Sequence, residues 1–410
     1  MKQLNNLKHF LVMFLVAVSL PMLVSVSNKV IATTTQERLL AVAWKPFLRF
    51  DNVLYPSYMI TAANIASKDD DDDKDDNTPH ILGNPRDLIG IAIINPRANT
   101  PVRLEVKIAQ LGAVGTFQDI LKDPKDTYYI LPKIQYRFDE LIKIKQTIPV
   151  NVVFNLFIDG KPAGQKIEIM QLRSINECVR GYKDKKGKYR DTRWMYAAYV
   201  NEEHPLIDQI LREALDTKIV SSFNGYQKST EKVYEQVFAI WYLFQKKGFK
   251  YSSITTNVSS RTGQRIRTQN IRFIEESLKT SQANCVDGTV LFASVLRKIG
   301  IEPFLVLIPG HCFLGFYLDK DREEKAFLET TLMGRTDLEK YDEEKSGKRS
   351  KKLTKDEASY RAFNKALDVA EKKYEDNKAA LDDTKDHDYV IIDIKKMRKK
   401  GILPIPSENK

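Results

Sequence analysis

Cys285, His311 and Glu329 are the residues whose types and settings could perform nucleophilic chemistry in this chain. It holds only three cysteines and five histidines. Cys285 stands in Ser281-Gln282-Ala283-Asn284-Cys285-Val286-Asp287-Gly288, directly before a strongly apolar run. Asn284 suits an N-cap, which puts Cys285 at the first helical position. There the unpaired N–H groups and the positive end of the helix dipole favour a thiolate. Asp287 falls in the first turn, where its charge suits the dipole but slightly opposes that thiolate. His311 opens a strand after the tight Pro309-Gly310 step. Strand alternation sets His311, Phe313, Gly315 and Tyr317 on one face and Cys312 on the other. Cys312 is therefore poorly placed to serve its own neighbour, and Cys285 is the candidate nucleophile. Cys178 has no such setting. An imidazole base also needs a group to hold its tautomer. A return strand through Lys325–Thr331 would bring Glu329 alongside His311, whereas Asp319 and Asp321 belong to the intervening turn. The competing reading of Cys285 is a small buried core residue. Gln282 could help stabilise an oxyanion, or be an ordinary polar loop residue.

The elements that must position these residues follow from hydrophobic period. Val286, Val290, Leu291, Phe292, Ala293, Val295, Leu296 and Ile299 make the Cys285 helix apolar nearly all round, hence central, and Gly300 ends it. The strands Phe304–Ile308 and His311–Leu318 follow. Upstream, Pro205 begins a helix with Ile207, Ile210, Leu211, Ala214 and Leu215 on one face. Ser229 or Thr230 caps another, with Val233, Val237, Ile240, Trp241 and Phe244 at helical spacing, stopping at Gly248. Trp241 reads as core. Arg272–Leu278 is a further short helix. Thr354-Lys355-Asp356-Glu357 matches a capping box, before a charged helix with the narrow stripe Phe363, Leu367, Ala370 and Tyr374. A helix so charged reads as a surface or partner-facing element. Tyr389–Ile394 is a final strand.

The N-terminal half has a different texture. Ile89–Ile94, Val102–Ala109, Tyr128–Leu131 and Pro149–Ile158 are β-rich runs between Pro, Asn, Gly and Asp turns, and Asp159–Gly164 reads as a longer hairpin loop to Lys166–Met170. Strands without intervening helices predict an antiparallel β-sandwich over 35–177. Residues 178–194 read as a linker or long loop. An α+β domain over 195–403 follows, with a charged helical insertion near 340–384.

Over 410 residues, 42% hydrophobic and 29% charged content is that of a globular chain with room for two or three domains. The net charge of +11 is distributed as alternating acidic and basic runs. With no aromatic-interleaved basic motif or zinc-ligand spacing, no nucleic-acid partner and no metal or other cofactor is expected. The run Asp69–Asp73 is an exposed loop; it lacks the spaced ligands and turn glycine of a calcium site. Lys2 and Lys8 precede the uncharged stretch Phe10–Val26, so residues 1–32 read as an export signal or a membrane anchor, and the protein as periplasmic, secreted or anchored on the outer side. Membrane contact is expected only through that segment, if uncleaved. Three cysteines exclude a disulfide framework.

The Cys-opened helix ending in Leu296-Arg297-Lys298-Ile299-Gly300-Ile301, the Gly310-His311 strand start and the strand Phe327-Leu328-Glu329-Thr330-Thr331, in that order, resemble the transglutaminase-like cysteine enzymes. The resemblance covers roughly residues 230–335. It implies a papain-like α+β core with Cys285 as nucleophile, His311 as base and Glu329 as orienter. The implied chemistry is acyl transfer from a carboxamide or peptide bond through a thioester, to water or to an amine, on a protein, peptide or wall-peptide substrate. The family usually carries Asp at the third position. The alternative is a non-catalytic envelope binding or scaffold protein that keeps the fold.

Overall fold

The computed structural model describes residues 42–65, 80–185, 187–227, 229–253, 265–335, 355–383 and 386–407. The apolar N-terminal segment, the aspartate run and Thr354 of the expected capping box lie outside the described residues. The fold is mixed α+β, with 34% helix and 33% strand, so neither class dominates.

Period-two burial builds the first part. Its elements are β1 (Trp44–Leu48), β2 (Val53–Leu54), α1 (Pro56–Ala63), β3 (His80–Gly83), β4 (Ile89–Ile94), β5 (Thr100–Ile108), β6 (Ala113–Leu121), β7 (Thr127–Leu131), β8 (Ile134–Gln135), α2 (Phe138–Leu141), β9 (Ile148–Ile158) and β10 (Lys161–Leu172). They form a four-stranded sheet, β1-β4-β7-β3, and a six-stranded sheet, β2-β10-β9-β5-β6-β8. On β9, Val150, Val152, Phe154, Leu156 and Ile158 are buried while the residues between them are not, as a half-buried strand requires. The ladders are antiparallel except at β3–β7 and β2–β10, which are parallel and modify the purely antiparallel expectation. The expected long hairpin loop is instead a two-residue turn. Asp159 and Gly160 have φ 53° and 74°, the left-handed pair that matches strand twist, and the irregularity moves to a bulge between Pro162 and Gly164.

The stretch read as a linker is also structured. It holds β11 (Glu177–Lys183) and β12 (Tyr189–Asp191), followed by a 3₁₀ segment Arg193–Tyr199. Its basic residues pointed to a loop, but strand pairing decides the local structure: β11 is the centre of a three-stranded sheet with β12 and Ile266–Asn270. Cys178 is fully buried there. Ser57 Oγ donates to the Glu177 carbonyl (2.6 Å) and Tyr199 OH to that of Ile175 (2.9 Å). One hydrophobic cluster runs from the first sheets into the later helices, and Ala41–Lys410 form one compact unit.

The remaining elements position the candidate residues. They are α3 (Pro205–Asp216), α4 (Thr230–Lys246), β13 (Lys250–Tyr251), β14 (Ile266–Asn270), α5 (Ile274–Thr280), β15 (Gln282–Ala283), α6 (Cys285–Lys298), β16 (Pro303–Ile308), β17 (His311–Tyr317), β18 (Lys325–Leu328), α7 (Lys355–Asp382), β19 (Val390–Asp393) and α8 (Ile394–Lys399). The last four strands make an antiparallel sheet, β18-β17-β16-β19. Cys312, Leu314 and Phe316 of β17 join the main core with α6. Phe304, Val306, Phe313 and Phe327 point the other way and pack with Ala370 and Tyr374 of α7. The apolar stripe of the charged helix is thus a structural layer of its own chain, while its charged face, Lys372 and Asp376 among it, stays exposed. Its narrow stripe fits because the sheet face beneath is aromatic: the Phe327 and Tyr374 rings stack at 4.2 Å. Trp241 is fully buried against Phe292 and Phe363. Among the described residues, no helix is long and apolar enough to cross a membrane.

Candidate active site

Cys285 occupies the first position of α6, and a reciprocal cap fixes it there. Asn284 Oδ1 accepts from the backbone N–H of Val286 (2.8 Å) and Asp287 (2.9 Å), and Asp287 Oδ2 accepts from that of Asn284 (3.0 Å). Asp287 is completely buried. It also receives the Arg272 backbone N–H (2.8 Å) and the Arg272 guanidinium (2.9 Å). Burial pushes its carboxyl above the ordinary range, and these hydrogen bonds offset that only in part. The expectation that Asp287 opposes the thiolate is therefore modified. Its charge is met by Arg272, and its carboxylate builds the cap that holds the cysteine.

Gly288 brings the third residue close. A Cβ there would lie 2.8 Å from Thr330 Oγ1 and 3.0 Å from Thr330 Cβ, nearer than a side chain tolerates. The missing side chain lets the short 3₁₀ turn Thr330–Leu332 seat against α6. Glu329 caps that turn, one residue beyond β18, whose Leu328 is paired with Leu314 of β17.

The structure brings Cys285, His311 and Glu329 together. His311 Nε2 lies 2.7 Å from Glu329 Oε2, and the Cys285 thiol sits close enough to the same ring to favour its charged form. With Nε2 engaged by the carboxylate, Nδ1 is the nitrogen left for the sulfur. Glu329 is 1% exposed, yet both of its oxygens are satisfied. Oε1 accepts from the Thr331 backbone N–H (3.2 Å) and hydroxyl (2.6 Å). Oε2 accepts from His311 and from Lys373 Nζ (2.5 Å). The Glu329 backbone N–H donates to the Ala366 carbonyl of α7 (3.1 Å). The Glu329 arm is thus held at both of its oxygens.

The electrostatics follow from these contacts. Burial alone would raise the Glu329 carboxyl, but the His311 hydrogen bond and charge, with Lys373 and Thr331, hold it at about 2. Burial likewise opposes the His311 imidazolium, but hydrogen bonds to Cys285 and Glu329 and the Glu329 charge outweigh it and lift the ring to about 9. Burial drives the Cys178 and Cys312 thiols well above the usual range, whereas Cys285 is only half-buried.

The ring opens onto a groove of about 550 Å³ lined by Lys250, Tyr251, Leu332, Met333 and Arg335 as well as His311. Its wall is set by the parallel pairing of β13 with β15, which aligns Tyr251 with Ala283, two residues before the cysteine. Gln282 lies on β15. A second cavity of about 30 Å³, beside Tyr58, Asp87 and Tyr136, has room for one water and touches none of the three residues.

Among the described residues, the other histidines have local roles. His204 caps α3 and pairs with Glu275 (3.1 Å), and His387 packs on Tyr189. Exposed His80 pairs with Asp126 (3.2 Å), and these two with Asp123 have ligand atoms within 4.8 Å of one another. A residue that sequence reasoning missed is Lys373, whose Nζ also lies 2.9 Å from His311 Nε2. Its signal was available: it flanks the apolar stripe one position before Tyr374, at the margin of the packed helix face. No protein-family model matches the chain, and no curated protein is detectably similar to it in sequence.

Proposed function

We propose that this chain is a cysteine enzyme that acts on an amide or peptide bond through a thioester on Cys285, with His311 as base and acid and Glu329 as orienter. The observation that carries this reading is a single imidazole hydrogen-bonded to a buried, fully satisfied carboxylate, with a half-exposed thiol beside it that favours its charged form. His311 takes the thiol proton, and the sulfur attacks the acyl carbon. The backbone N–H at the start of α6 is available to the oxyanion that forms. The C–N bond then breaks as His311 returns its proton to the departing amine. Water or a second amine, deprotonated by His311, next attacks the thioester, giving an acid or a new amide and restoring the thiol.

A cysteine-bearing helix packed on an antiparallel sheet that carries the histidine supports a papain-like, transglutaminase-like core. The apolar segment before the described residues supports export, with a protein, peptide or wall peptide as substrate. Iodoacetamide labelling with mass-spectrometric mapping tests the assignment. Cys285→Ala should abolish labelling at neutral pH, while Cys178→Ala and Cys312→Ala leave it intact. Equal labelling in all three variants would refute it and favour a binding scaffold.

A further inference from the structure

Lys373 makes contact with two of the three site residues and comes from the element least connected with chemistry by its sequence. Its Nζ donates to Glu329 Oε2 at 2.5 Å and lies 2.9 Å from His311 Nε2. Since the Nε2 proton points at the carboxylate, the ammonium is no hydrogen-bond partner of the protonated ring. It is a like-charge neighbour sharing that ring's counter-ion. We propose that Lys373 is a positioning residue of the site: it pins the long Glu329 arm and limits how strongly that arm can hold the histidine as an imidazolium. The inference rests on the cysteine-enzyme reading above.

Two demands conflict at His311. A buried carboxylate beside the ring favours the charged pair, but a ring held too firmly as imidazolium is a poor acid for the leaving amine. A catalytic acid works best with a pKa near the operating pH. The orienter also has one more rotatable bond than an aspartate, so it needs more restraint. Thr331 restrains Oε1 and Lys373 restrains Oε2 while opposing the imidazolium charge. The charged groups facing the ring are Cys285 from α6, Glu329 from the turn after β18 and Lys373 from α7, with Lys250, Tyr251 and Arg335 along the groove. Among the first three, only Lys373 lowers the imidazolium's stability by its charge. The α7 backbone supplies the Ala366 carbonyl to the Glu329 N–H, so the lysine arrives on an element already docked at the orienter.

The test titrates His311 directly in the full chain, by NMR of ¹³C-labelled imidazoles assigned through His311→Gln. Lys373→Met and Lys373→Gln, which remove the charge but keep most of the stem while Thr331 still holds Glu329 Oε1, should move the midpoint to higher pH. Lys373→Arg should restore it, and the control Lys372→Met, on the solvent side and paired with Asp376, should not move it. A merely structural lysine would change stability without raising the midpoint. An unmoved or lowered midpoint in both folded neutral variants overturns the proposal. Iodoacetamide labelling of Cys285 in the same samples separates the two readings. Labelling with no midpoint change sinks the role of Lys373 alone, whereas loss of selective labelling in the unsubstituted chain sinks the enzyme reading.

Discussion

Glu329→Gln isolates the orienter's charge while leaving its shape. In the intact site His311 titrates at about 9, against an ordinary 6.5, because the carboxylate and the thiol outweigh burial. At 1.36 kcal/mol for each pH unit, that interval is roughly 3 kcal/mol of preference for the imidazolium. At pH 7.5 a ring with a midpoint near 9 is about 97% protonated, and one returned to 6.5 about 9%. Burial pulls the neutralised site lower still. Glu329→Gln should therefore bring the His311 midpoint to 6.5 or below and slow Cys285 alkylation at pH 7.5, because few rings then hold the imidazolium beside the sulfur. The assay is imidazole NMR across pH 5 to 10 with timed iodoacetamide labelling. A Glu329→Gln protein that still titrates near 9 would show that the carboxylate does not set the ring's charge.

The same shift predicts how stability depends on pH. The folded midpoint lies above the unfolded one, so the His311 contribution is complete below about 6.5 and lost as pH rises through about 9. In urea titrations the stability gap between the unsubstituted chain and His311→Gln should shrink over that window, and a gap constant from pH 6 to 9.5 would contradict it. Gly288→Ala should destabilise by about 1–3 kcal/mol by forcing the Thr330 turn outward. It should also loosen Glu329, lowering the His311 midpoint; denaturation and the same NMR titration measure both.

Much of the site's placement was legible because it rests on local rules. Asn284 as cap, Cys285 at the first helical position, Gly300 as terminator and the β17–β18 return strand all follow from short-range patterns. Glu329 could be chosen over Asp319 because the latter folds back on its own turn, accepting the Glu323 and Glu324 N–H groups. What could not be read depends on distant pairing. The β11–β14 ladder joins residues far apart in sequence, so its strand looked like a basic loop. The two parallel edges of the first sheets and the docking of α7 are likewise long-range choices. The role of Arg272 is hidden for the same reason: its approach to Asp287 depends on how the chain enters α5, not on any motif.

The order in which the chain supplies its parts has a consequence for synthesis. The thiol and the imidazole emerge well before Lys373, before the Ala366 carbonyl that steadies Glu329 and before β19, which covers the outer edge of β16. A growing polypeptide that has reached only residue 335 holds the candidate nucleophile but lacks the Lys373 contact to Glu329, and it shows an unpaired sheet margin ready to recruit other strands. Completion of the C-terminal segment thus finishes the candidate site and closes its stickiest border together, so a prematurely terminated chain should be aggregation-prone and should lack the His311 midpoint of the full chain.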